Sequence, residues 1–80
     1  MYKLDLSEDE VYCLLDKCGL TEEKANKSKK VKIMRMIIIY KYIYDMSREE
    51  ICAELDFISL STYNRYLLKS LNKLKKYIDM

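Results

Sequence analysis

Apolar positions recur at helical spacing along almost the whole chain. Val11, Leu14, Leu15 and Cys18 lie three or four residues apart on one face, preceded by Ser7-Glu8-Asp9-Glu10. That tetrapeptide is a capping box, with acids where a helix dipole favours them. Gly19 follows as a left-handed C-cap. Thr21 can cap a short segment from Glu22 to about Asn26. Lys24 to Lys32 holds five lysines in nine residues. It fits a solvated helix start, a linker or a phosphate-contacting stretch, and its continuity with the next helix stays open.

The central segment, about Lys29 to Asp45, carries two stripes: Val31, Met34, Ile38 and Tyr42 on one, Ile33, Ile37, Tyr40 and Tyr44 on the other. A helix apolar around most of its circumference is buried on more than one side. An exposed apolar patch of that size would be unusual. Two covers are available for the second stripe: another subunit meeting Ile37, Tyr40 and Tyr44, or the first helix.

A second capping box, Ser47-Arg48-Glu49-Glu50, opens a short third helix with Ile51, Glu54 and Leu55, ending near Asp56. Ala53 is expected to face inward as its small residue. Ser59 or Ser61 caps the last helix, which runs to about Tyr77. Its inner stripe is Tyr63, Leu67, Leu71, Leu74 and Ile78, with Lys69, Lys73, Lys75 and Lys76 on the other side. The predicted architecture is all-α: one small four-helix domain (three to five helices) over residues 1–80, with an acidic N-terminal helix in 1–23.

Composition narrows the function classes. The chain has no proline and one glycine, which argues against a β-sandwich or barrel with many tight turns. Half of its 80 residues are apolar, yet a domain this small buries only about 60% of its unfolded surface, so dimerisation or a partner would help it. Three cysteines without a histidine make a poor zinc site, and the thiols are expected to pack as small apolar groups. No metal or cofactor is expected. Met1 to Glu10 lacks the basic-then-apolar order of a signal peptide. Ile33 to Met46, the most apolar run, is 14 residues long and contains Arg35, Lys41 and Asp45. A bilayer span needs about 20 residues, so a soluble cytoplasmic protein without a membrane partner is expected. Histidine, a Gly-rich phosphate loop and a nucleophile–base pair are all missing from the pattern, so an enzyme is not expected.

Charge is distributed unevenly. Residues 1–23 hold two lysines against seven acids, a net −5, whereas residues 24–80 hold 13 Lys and Arg against six acids, a net +7. The basic part is where a polyanion would bind.

Met46 to Lys76 combines a short helix, a tight turn and a longer helix opening on Ser-Thr, which is the helix-turn-helix layout, placed at residues 47–77. Ser47, Glu50, Ile51 and Leu55, then Ser59, Ser61, Thr62, Tyr63 and Arg65, then Ser70, Leu71 and Leu74 form a pattern over roughly 30 of the 80 residues. This pattern resembles the helix-turn-helix of the sigma-factor region 4 type. It is similar also to the C-terminal half of small ArpU/RinA-like phage transcriptional regulators. The separation of Leu55 and Thr62 is one residue longer than those families usually show, which leaves Ser59 and Ser61 both open as the cap.

The layout implies roles. Asn64 and Arg65 are the candidates for base readout, since Asn pairs with adenine and Arg with guanine. Ser59, Ser61, Thr62, Arg48 and Lys69 suit phosphate contacts. Tyr66 fits a base or sugar contact or packing, while Tyr63, Leu67, Ser70 and Leu71 belong to the core. The expected function is sequence-specific binding of double-stranded DNA by a transcriptional regulator acting as a homodimer, with RNA polymerase as a further partner that the resemblance implies. The alternative is a helical interaction module, adaptor or inhibitor, using the central helix without DNA. A purely structural bundle ranks third.

Overall fold

Caps set the helix boundaries in the computed structural model, which describes residues 6–78 apart from the side chain of residue 78. Helix α1 (Glu8–Lys17) begins at Ser7, whose hydroxyl accepts from the Glu10 N–H while the Glu10 carboxylate accepts from the Ser7 N–H. It ends in a Schellman motif: the Leu20 N–H reaches the Leu15 carbonyl at 2.8 Å and the Gly19 N–H the Asp16 carbonyl at 3.2 Å. Gly19 supplies the required left-handed conformation at φ 87°. Leu15 and Leu20 are both buried, the apolar contact that accompanies this motif.

Thr21 caps α2 (Glu22–Lys27), and Ser28 both ends it and caps α3 (Lys29–Tyr42). The lysine-rich stretch is therefore helix on either side of a single extended residue, rather than a linker. α3 stops three residues short of the expected Asp45. Asp45 sits at φ 54°, and the Met46 N–H turns back to the Tyr40 carbonyl at 3.0 Å. Helix α4 (Arg48–Glu54) starts at the second capping box and α5 (Leu60–Ile78) follows. α4 ends at Glu54 rather than near Asp56, because Asp56 and Phe57 both turn left-handed, at φ 61° and 58°. The side chain of Ile78, expected on the inner stripe, and residues 1–5 of the acidic segment lie outside the described residues.

The two stripes of α3 face two cores. Met34, Ile38 and Ile39 pack with Val11, Leu14 and Leu15 of α1, Leu20, and Leu74 of α5. Ile37 packs on the other side with Ile51 and Cys52 of α4 and Tyr63 of α5. Tyr66 and Leu67 of α5 touch both clusters. Where α5 crosses α3, fully buried Ser70 donates to the Tyr66 carbonyl at 2.8 Å, with the Met34 carbonyl of α3 at 3.4 Å. A small residue there lets the backbones approach, and its hydroxyl is satisfied locally. The radius of gyration, 11.7 Å, matches the roughly 11.6 Å that size scaling gives a closed domain of this length. Among the described residues no helix is long and apolar enough to cross a membrane.

Two expectations are corrected. Ile37 is at 0% exposure, so it cannot meet a second subunit; α4 and the amino half of α5 cover it. α1 does not supply that cover, since it packs on the opposite stripe. Tyr40 is half-buried against the same cluster, and Tyr44, 59% exposed, lies with its ring 6.0 Å from that of Tyr40. Ala53 faces solvent, and its neighbour Cys52 is the small inward residue of α4.

Emptying a fully buried Ile site costs about 2–5 kcal/mol, whereas an exposed surface change stays within about ±0.5 kcal/mol. Ile37→Ala is therefore expected to lower the urea midpoint severely, and Tyr44→Ala to leave it nearly unchanged. Equal midpoints for the two variants would contradict this placement of α3.

Candidate nucleic-acid interface

Helices α3, α4 and α5 meet around one cluster, and this arrangement aims the outward face of α5. The inner side of α5 is held by Tyr63, Ser70 and Leu74, all buried, with Tyr66, Leu67 and Leu71 half-buried. At 3.6 residues per turn, Ser61, Asn64, Arg65, Leu68 and Asn72 then recur as a single outward stripe, and all five are exposed.

The start of α5 is settled by hydrogen bonds. The Ser59 hydroxyl accepts from the Thr62 N–H at 3.1 Å and donates to the Thr62 hydroxyl at 2.9 Å; the Tyr63 N–H reaches the Ser59 carbonyl at 2.9 Å. Ser59 is thus the N-cap, and the two left-handed residues Asp56 and Phe57 lie in the turn before it. Ser61 stands exposed in the first turn, with its hydroxyl 3.4 Å from that of Ser59. Thr62 is half-buried and tied to the cap, so Ser59 and Thr62 offer less free hydroxyl than Ser61.

Arg48 and Asn64 come together although sixteen positions separate them. Both line a groove between the end of α3, the start of α4 and α5, together with Lys41, Ser47 and Glu49. Arg48 pairs with Glu49 at 3.3 Å, and both side chains are mostly exposed. Such surface pairs contribute little, about 0–1 kcal/mol, so an incoming phosphate can displace the carboxylate. Lys41 was missed in the sequence, where it merely interrupts an apolar run. Its signal was position, a cation in the last turn of the helix that precedes a capping box.

Arg65 and Lys69 flank the half-buried ring of Tyr66, at 6.0 and 5.8 Å from its centroid. Tyr66 packs against both clusters, and its ring lies beside Arg65 of the stripe and Lys69 on its flank. Lys27, Lys29 and Lys32 lie elsewhere, in a second groove opposite Glu54 and Asp56. Arg35 serves the scaffold: it donates to the Leu20 carbonyl at 2.8 Å and lies over the Tyr12 ring at 5.7 Å. Phe57, Leu60 and Leu68 are 83%, 44% and 62% exposed, a feature the helical periodicity of α5 did not single out.

Among the described residues no group of His, Cys, Asp or Glu side chains could hold a metal ion. No family model, curated protein or solved structure gives a significant match to the chain.

Two outcomes follow from the caps. Removing an N-cap hydroxyl costs about 1 kcal/mol, so Ser59→Ala is expected to lower the denaturation midpoint while Ser61→Ala does not; the reverse order would move the cap. Glu10 and Glu50 are held below the usual carboxylate range, chiefly by the backbone N–H groups of Ser7 and Ser47. A lowered folded pKa stabilises the fold above the usual carboxylate range, and that contribution is lost as pH falls through the folded values. Thermal melts at decreasing pH should therefore show an acid decline that Glu50→Ala makes shallower.

Proposed function

We propose that the chain is a sequence-specific double-stranded DNA-binding protein, a transcriptional regulator that lays the amino half of α5 in the major groove. The observation that carries this reading is the outward stripe Ser61, Asn64, Arg65, Leu68 and Asn72 beside Arg48 and Lys41, on the part of the chain whose net charge is +7. Asn64 and Arg65 hold the bidentate donor and acceptor groups that distinguish base edges. Arg48, Lys41, Ser61 and Lys69 would grip phosphates on either side and set the register.

Three helices sharing one core also make this a rigid presentation, which base readout needs. Binding would follow counterion release, so affinity falls steeply with salt. A homodimer on a palindromic site would place its two recognition helices about 34 Å apart. With Ile37 buried, half-buried Tyr40 of α3 and exposed Tyr44 just beyond its end are what remains for such an interface. Those two tyrosines also favour the second reading, an adaptor that binds protein and not DNA.

The test is titration of a fluorescent mixed-sequence duplex at two salt concentrations, followed by selection from a random pool. Arg65→Ala is expected to cost about 1–3 kcal/mol and relax the selected sequence at one position. Arg48→Ala and Lys69→Ala should weaken all sequences evenly and reduce the salt slope by about one unit each. Absence of binding at low salt would overturn the DNA reading and send attention to Tyr40 and Tyr44.

A further inference from the structure

The large apolar side chains left exposed among the described residues are Tyr44, Phe57, Leu60, Leu68 and Tyr77. The three without a hydroxyl are concentrated in the turn before α5 and in its amino half. Their placement is unlike that of a protein-docking face. Leu68, 62% exposed, stands between Asn64 and Asn72 with Ser61 and Arg65 alongside, so its neighbours on the stripe are hydrogen-bonding groups. Phe57 is held outward by a backbone that is itself unfavourable: beside Asp56, which tolerates the same region, it adopts a left-handed φ of 58°, at a cost of roughly 1–2 kcal/mol. The turn lets α5 start on its cap, but the packing of the chain gives no use to a phenylalanine side chain standing 83% in water there.

One surface combines hydrogen-bonding edges with isolated methyl groups under a high negative potential: the major groove, where thymine displays its C5-methyl beside the adenine N6 and N7. Resting on the DNA-binding reading, we infer that Leu68, with Phe57 and Leu60 at the amino end of the same helix, contacts thymine methyl groups, so that the site this protein selects is thymine-bearing where α5 crosses it. Asn64 and Leu68 lie one turn apart on one face, close enough to address neighbouring positions. Asn64 then takes the adenine edge and Leu68 the methyl. The basic flank of Lys69 and Lys73 suits the same occupant and would repel an unmodified basic partner.

The experiment uses the full chain and a duplex enriched by it from a random pool, alongside the same duplex with deoxyuridine in place of thymidine. Deoxyuridine removes the methyl and leaves base pairing intact. Wild-type protein should lose about fourfold in affinity per contacted methyl, the worth of one buried methyl-sized group. Leu68→Ala and Phe57→Ala remove exposed side chains, are expected to keep the wild-type circular-dichroism spectrum, and should each shrink the uracil penalty by about fourfold. Equal wild-type affinity for the two duplexes, with salt-dependent binding intact, overturns the methyl contact and spares the DNA reading. A uracil penalty that persists undiminished in both variants also overturns it, because the methyl then acts through duplex shape. Failure to enrich any duplex overturns both, and points to a protein partner for the exposed residues.

Discussion

A central helix that is apolar on two sides is the constraint from which the rest of the structure follows. α3 cannot be left in water on either stripe, since burying each Ile or Met side chain is worth about 1.5–3 kcal/mol. One stripe takes α1 and the Gly19–Leu20 turn; the other takes α4 and the start of α5. α5 is long enough to serve both, with Leu74 in one cluster and Tyr63 in the other. Its crossing with α3 at Ser70 links the two, so the helix that presents the outward stripe is the same one that unites the cores. Stability and presentation are therefore one property of this molecule: the inner face of α5 fixes where its outer face points.

Much of the helical layout was legible in the sequence because caps are local. Ser7, Thr21 and Ser47 announce their helices through residues three positions away, and Gly19 through its freedom at positive φ. What periodicity does not carry is the identity of the cover. The stripe through Ile37 says only that a side is buried, and α4 with α5 can satisfy it as well as a second subunit could. Ala53 and Cys52 are both small and apolar, so residue type could not choose between them; the rotation of a seven-residue helix did. The candidate site was partly legible for the same reason. Asn64 and Arg65 lie outward because Tyr63 lies inward, a fact of spacing. The approach of Lys41 and Arg48 to Asn64 depends on how three helices cross, which no local pattern encodes.

The turn between α4 and α5 keeps its irregular backbone out of the helix that follows. A one-residue insertion in the middle of a helix would rotate everything after it by about 100°. Here the left-handed pair Asp56 and Phe57 lies before Ser59, leaving the helix to start on its cap and Tyr63 to land in the core. The conformational penalty stays in the loop, and the helical register is spared.

The three cysteines acquire a use from where they sit. Cys13 is exposed, Cys18 half-buried and Cys52 buried between α4 and α5, and burial pushes the thiols of Cys18 and Cys52 up. A sulfhydryl reagent reaches exposed Cys13 readily, whereas buried Cys52 becomes fully accessible when α4 detaches from its neighbours. The lag between the two labelling rates is then a built-in clock for that local opening, reporting its free energy without any engineered probe.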